Sequence, residues 1–212
     1  MKRILLSTSL LIISLVLNSV YPQSIAFPDD QKGRGYHNRP YKRYEAEPDK
    51  CQTNGNFLTQ TFDQSKLQNE ASNQVALELK EKGDFVEWTV EELADGLTIR
   101  FSLPDSNEGV GTKGAFAIYI DGGYSQNITL DSYWAWQYFV RAHASHADNK
   151  PSADKFARMR FDEAHLKLKK KIDKGGTIKL VKLDDNSTPY TIDFIELENV
   201  PDPVSFESIT EK

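Results

Sequence analysis

Three runs of alternating apolar and polar residues within residues 96–130 limit what this chain can fold into more than any other feature. Leu97, Ile99, Phe101 and Leu103 alternate with Thr98, Arg100 and Ser102; Phe116, Ile118 and Ile120 repeat the pattern, and Ile128 and Leu130 begin it again. Successive side chains on a strand point to opposite faces, so each run describes a strand with one buried face. Asp121-Gly122-Gly123 between the second and third runs supplies the positive-φ residues of a tight hairpin. The third run leads into Tyr133, Trp134, Trp136 and Tyr138. The stretch therefore predicts an antiparallel sheet with a flat aromatic surface at one end.

The alternation recurs along the chain. Residues 75–79 and 85–90 read as strands joined by a Lys82-Gly83-Asp84 turn. Residues 177–181 follow the turn Asp173-Lys174-Gly175-Gly176, and residues 190–197 form a last strand closed off by Pro201 and Pro203. Residues 161–172 fit two periods: Leu166 and Leu168 are spaced as on a strand, whereas Ala164, Leu168 and Ile172 fit a helix. The turn that follows favours strand through Leu168. Residues 141–158, with His143, His146 and Pro151, lose the alternation and read as a long loop with a short helix. Evenly recurring strands predict an all-β domain over residues 44–199.

The ends read differently. Met1-Lys2-Arg3, an apolar run and Ser24-Ile25-Ala26 have the layout of a signal peptide over residues 1–26. Ser7, Thr8, Ser9, Ser14 and Asn18 within the run make it a poor permanent span, so the expectation is a secreted or periplasmic protein with no membrane partner. Residues 27–43 read as a disordered leader, with Lys32, Arg34, Arg39, Lys42 and Arg43 as a solvated tether, and residues 200–212 as a polar tail. Cys51, the single cysteine, has no partner for an internal disulfide. A formal net charge of −5 with dispersed Lys and Arg argues against a nucleic-acid partner, which needs a concentrated basic surface. A chain of this size has room for a real core, and a monomer is expected.

The ordered landmarks carry a resemblance. Tyr44-Glu45-Ala46-Glu47, Gly83-Asp84-Phe85-Val86-Glu87-Trp88, the Asp121-Gly122-Gly123 hairpin, Lys174-Gly175-Gly176-Thr177-Ile178 and residues 190–197 together resemble a carbohydrate-binding module of families 6 and 35. Residues 97–105, Trp134-Ala135-Trp136-Gln137-Tyr138 and Phe161-Asp162-Glu163 are similar to the module that precedes the β-helix in bacterial α-1,3-glucanase (mycodextranase-like) proteins. The likeness spans residues 44–199. It implies a jelly-roll β-sandwich of two antiparallel sheets. Residues 141–160 depart from it, standing where the closer group has a short Gly-rich link and a His-His pair. The resemblance also implies a catalytic β-helix after the module, where this chain stops at Lys212.

Aromatic rings suit the C–H face of a pyranose, and neighbouring polar groups suit its hydroxyls. Tyr133, Trp134, Trp136 and Tyr138 are candidate ligand-binding residues, and Trp134, Trp136 and Tyr138 would share a face if the strand continues through them. Core packing explains Trp136 and Tyr138 equally well. Arg160 and Glu163 are further candidate ligand contacts; Asp162 and Glu163, adjacent on a strand, point to opposite faces and cannot flank one bond. The resemblance implies that Glu45, Glu47 and Asp193 hold a structural calcium, a cation that takes several oxygen ligands. His143, His146 and His165 lack the supporting ligands of a zinc site. The expectation is a secreted, non-catalytic module, not an enzyme, that binds a polysaccharide or oligosaccharide such as a glucan. The alternatives are an extracellular structural or protein-interaction sandwich without sugar binding, and the binding half of a split glycoside hydrolase.

Overall fold

The computed structural model describes residues 41–201 apart from 141–142, 149 and 186–187. The expected signal peptide, most of the leader and most of the C-terminal tail lie outside the described residues. In chain order the strands are β1 (Tyr41–Glu45), β2 (Gln52–Thr53), β3 (Asn56–Leu58), β4 (Ala76–Leu79), β5 (Phe85–Thr89), β6 (Ala94–Ser102), β7 (Lys113–Ile120), β8 (Gly123–Asp131), β9 (Gln137–Val140), β10 (His143–Asp148), β11 (Lys155–Arg158), β12 (Asp162–Ile172), β13 (Thr177–Lys182) and β14 (Tyr190–Glu198). Two short 3-10 turns, Leu67–Glu70 and Ser72–Gln74, are the helical pieces among the described residues. None of the described helices is long and apolar enough to cross a membrane.

The strands form antiparallel sheets. One runs β12-β6-β14-β4-β3, with β1 also paired to β14; a second runs β2-β5-β13-β7-β8; and a small third runs β10-β9-β11. Inward residues of the two larger sheets, among them Leu77, Ile99, Phe101 and Ile192 from one and Val86, Phe116, Ile118 and Leu180 from the other, make one hydrophobic core. Both sheets receive a late strand in their middle: β14 lies between β6 and β4, and β13 between β5 and β7. The β7–β8 hairpin turns at Asp121 and Gly122, with φ of 52° and 76°, as the sequence requires of a tight turn. At the edge of the core, Phe116 and Tyr190 meet edge to face with centroids 5.3 Å apart. A Cβ at position 114 would collide with the Tyr190 hydroxyl, so Gly114 is there to admit that ring.

Three expectations are corrected. The leader ends earlier than residue 43: Tyr41, Lys42 and Arg43 already lie in β1, and the Arg43 guanidinium is 2.6 Å from Glu196 across the sheet. The helix option for 161–172 falls, because β12 runs unbroken as strand to Ile172 along the edge of its sheet. The segment 141–158, expected to be a loop with a helix, instead contributes β10 and β11, which pair with β9 just before it. Phe139 and Phe156 sit opposite each other in the β9–β11 register and stack 6.1 Å apart. β9 and all but the last residue of β11 are half-buried, so no alternation marks these two strands in the sequence.

Candidate functional site

The end of the molecule where β6 runs out is built around two loops that hold each other. Ser132, fully buried, donates its backbone N–H to the Thr112 carbonyl at 3.0 Å, and its hydroxyl accepts the Thr112 N–H at 2.9 Å. The Thr112 hydroxyl donates to the Pro104 carbonyl at 2.6 Å. Gly111, at φ 70°, lies against the backbone of Tyr133, where any Cβ would collide. Asp105 organises the intervening loop. One carboxylate oxygen accepts the N–H groups of Ser106 (2.8 Å) and Gly111 (2.9 Å), and the other accepts the Tyr138 hydroxyl at 2.8 Å.

Trp136 is anchored in the same place, its indole N–H donating to the Leu103 carbonyl at 2.8 Å. Its ring stacks on Tyr138 with centroids 6.2 Å apart and planes 20° from parallel. Burial and the adjacent Asp105 carboxylate push the Tyr138 phenol well above its ordinary value, so it stays a donor at any physiological pH. Pro104, Asp105, Ser106, Asn107, Trp136 and Tyr138 line an open depression of about 470 Å³. Apolar faces with a few fixed polar groups beside them suit a polyhydroxylated ring. Asp105 and its loop were not among the residues picked out by sequence. The signal was an Asp ahead of Gly109 and Gly111, a side chain able to cap loop amides.

Trp134 does not join this face. Residues 132–135 form a turn, with the Ala135 N–H donating to the Ser132 carbonyl at 3.1 Å, and Ala135 takes the buried position. Trp134 is therefore thrown outward at 73% exposure beside Tyr133 at 41%, the two rings edge to face with centroids 4.6 Å apart. The expected three-ring face thus becomes two pairs: Trp136 with Tyr138, and Tyr133 with Trp134.

Arg160 and Glu163 fall elsewhere. Arg160 is 5% exposed; its guanidinium spends four of its five N–H donors on Glu70 and the carbonyls of Gln64, Ser65 and Lys66 at 2.8–3.1 Å, which makes it a buried loop anchor. Glu163 is exposed on β12, 3.9 Å from His165, whose other ring nitrogen meets the Thr98 hydroxyl at 2.9 Å. The side chains of His143 and His146 lie outside the described residues. A larger depression of about 550 Å³ is lined by Tyr44, Lys50, Cys51, Glu87 and Trp88. Its two aromatic rings are core residues that offer no platform, and burial pushes the Cys51 thiol up to about 11, which leaves it inert.

Glu45, Glu47 and Asp193 do not fit calcium as they stand. Asp193 is fully buried; one oxygen accepts the Ser72 N–H (2.9 Å) and hydroxyl (2.8 Å), and the other is ion-paired to Arg100. The Ser72 hydroxyl also lies 2.5 Å from Glu45, and Glu47 accepts the Asn73 amide at 2.8 Å. A guanidinium beside Asp193 already supplies the positive charge that a cation would bring, and a second cation there would be repelled. Among the described residues no group of three or more His, Cys, Asp or Glu side chains is placed to hold a metal ion. Dialysis against chelator should accordingly leave the melting temperature unchanged; a drop that calcium alone restores would show a bound ion after all.

With this geometry established, comparison with known proteins is informative. Residues 38–200 match the family described as alpha-1,3-glucanase catalytic domain D1. Among solved structures, the Agl-KA catalytic domain is 35% identical with a TM-score of 0.71, the match covering 79% of this chain and 29% of that one. The catalytic domain of a GH87 alpha-1,3-glucanase in complex with nigerose is 27% identical with a TM-score of 0.71, covering 79% of this chain and 30% of that one. The catalytic unit of a thermostable GH87 alpha-1,3-glucanase from Streptomyces thermodiastaticus strain HF3-3 is 25% identical with a TM-score of 0.61, covering 78% and 27%. Comparison with curated proteins gives no match. The chain thus spans about 30% of the length of the solved catalytic domains it matches. Because these matches are to catalytic domains, they correct two expectations: that the chain is a non-catalytic module, and that it is no part of an enzyme.

Proposed function

We propose, from the premise that this chain belongs to the family of the alpha-1,3-glucanase catalytic domain D1, that it is the β-sandwich part of a secreted glycoside hydrolase acting on α-1,3-linked glucan. The observation that carries this reading is the family match, continuous over residues 38–200 and so across every strand described above. Related catalytic domains have been solved with nigerose, a disaccharide of α-1,3-linked glucose, and with tetrasaccharides, which supports such a glucan as the ligand. The Trp136–Tyr138 depression holds glucosyl units, with Asn107 and Ser106 at hydrogen-bonding positions beside the rings. Hydrolysis of a glycosidic bond uses two carboxyl groups about 5–10 Å apart across the bond. Asp105, committed to loop amides and Tyr138, is not one of them. We assign substrate holding to this domain and bond cleavage to the catalytic unit as a whole.

The connectivity is read as a jelly roll. Successive strands alternate between the sheets, β4 to β5 to β6 to β7, and again β12 to β13 to β14, which supports that topology. The basic residues and apolar run at the N-terminus support export.

The test is retention on insoluble polysaccharide. The protein should be retained on α-1,3-glucan and pass through α-1,4-glucan; equal behaviour on both overturns the assignment. The exposed Tyr133–Trp134 pair is a second ring surface for the glucan in this reading, so Trp134→Ala should weaken retention several-fold while changing stability by no more than about 0.5 kcal/mol. A large loss of stability with full retention would place Trp134 in the fold rather than on the glucan.

A further inference from the structure

Trp136 lines two depressions, not one. The second, about 460 Å³ against about 470 Å³ for the first, is bounded by Gln64, Ser65, Trp136, Phe156, Arg158 and Arg160. Resting on the glucan reading above, we propose that it is a second sugar subsite, and that a single α-1,3-glucan chain crosses Trp136 with glucosyl units on both sides.

The second depression is built for a neutral polyol. Its apolar wall is Phe156, backed by Phe139 from the neighbouring strand in a 6.1 Å stack. Arg158 lies 5.0 Å from the Phe156 ring centre and donates to the Gln64 amide oxygen at 2.7 Å, so the Gln64 NH2 group is not used in that bond and remains a donor. Both side chains are exposed and can exchange partners with a ligand. Arg160 lies beneath them, buried, with its donors fixed on the 64–66 carbonyls and its charge paired with Glu70 at 2.8 Å. It therefore acts as a positioning residue, holding Gln64 and Ser65 against the depression. No carboxylate is among the lining residues, so nothing in the lining calls for a cationic ligand. Arg160 carries a charge neutralised by Glu70, which leaves Arg158, exposed and resting on the neutral Gln64 amide and the Phe156 ring, as the single solvent-screened cation at the rim. An aromatic wall with an amide and a guanidinium at its rim is chemistry for hydroxyl groups.

The consequence is a dependence on chain length. A disaccharide occupies the Tyr138 side, whereas a tetrasaccharide reaches across Trp136. Calorimetric titration of the full chain with nigerose and with an α-1,3-linked tetrasaccharide reads this directly. Wild type should bind the tetrasaccharide about tenfold more tightly. The double variant Gln64→Ala/Arg158→Ala should lose most of that advantage while binding nigerose within about twofold of wild type. Asn107→Ala, on the other side, should weaken both sugars. Phe156→Leu, which keeps the apolar volume but removes the flat ring, should act as the double variant does. Equal affinity of wild type for the two sugars, or a double variant that keeps the full advantage, overturns the second subsite and leaves the first reading standing. Wild type binding neither sugar overturns the glucan reading itself, and the subsite with it.

Discussion

Arg100→Met should destabilise the fold by about 3–5 kcal/mol, because it leaves a buried carboxylate without its counter-charge. Asp193 is fully buried, and Arg100 reaches it from β6 while also donating to the Glu70 carbonyl at 3.3 Å and resting 4.8 Å from the Phe161 ring. Without the guanidinium, Asp193 would keep only the Ser72 N–H and a hydroxyl it shares with Glu45, and would lose its paired positive charge. Burial already holds both carboxyls above their usual values, outweighing the opposing pull of Ser72 on both and of Arg100 on Asp193. Removing Arg100 raises Asp193 further. A carboxyl with a raised folded-state value favours the fold where it is protonated and loses that contribution as pH rises through the raised value. The gap between wild type and Arg100→Met should therefore be widest at neutral pH and narrow on acidification. Adding Asp193→Asn to Arg100→Met should recover part of the loss. Urea melts at pH 7 and pH 5 measure all of this; an Arg100→Met protein as stable as wild type at pH 7 would mean that the pair contributes nothing.

The largest effect on binding is expected from Trp136→Ala. The indole borders both depressions, so its loss removes the apolar face on two sides at once and should weaken tetrasaccharide binding by about 100-fold or more. Some stability goes too, because the ring is half-buried, stacked on Tyr138 and hydrogen-bonded to Leu103. Trp136→Phe separates the two effects: it keeps a smaller aromatic ring against Tyr138 and loses the N–H donor and part of the indole area, so it should fold and bind within about tenfold of wild type. Tyr138→Phe should fall between them, since it frees the Asp105 oxygen that ties the loop to β9. A folded Trp136→Ala protein that binds the tetrasaccharide like wild type would remove Trp136 from the site.

Strands that bury one face against the core announce themselves in sequence, as β6, β7 and β13 do. In β6 the inward residues Leu97, Ile99 and Phe101 are all buried, and the pattern reflects that directly. β9 and most of β11 are half-buried on both faces, so these two strands carry no such pattern. Even spacing placed Trp136 and Tyr138 together correctly but drew in Trp134, because the buried Ser132 that starts the turn looks like any serine. The family resemblance, not the spacing of the acids, implies calcium at Glu45, Glu47 and Asp193. What decides the matter is Arg100, an outward polar residue on a different strand, reached through a register shift between Ile192 and Phe194 that no single-strand pattern contains. Arg160 next to Phe161-Asp162-Glu163 looked like a ligand contact; its partners at 64–70 are close in space and far in sequence. The search for a nucleophile and base on this chain led toward a non-catalytic reading. A domain can belong to a catalytic unit through the surface it lends to substrate, and that surface carries no reactive motif.

The central placement of the late strands governs when the domain can exist at all. A ribosome releases β4, β5, β6 and β7 long before β13 and β14, and at a rate of about 5–20 residues per second the slots in both sheets stay open for roughly 5–20 s. Throughout that interval neither sheet has its middle, so the emerging polypeptide has no compact intermediate sandwich to fall into. Such a delay keeps the chain without a complete core until its last strands arrive. It also means that a nonsense codon anywhere before Thr177 yields not a trimmed domain but an unfolded one, for the quality-control proteases to clear.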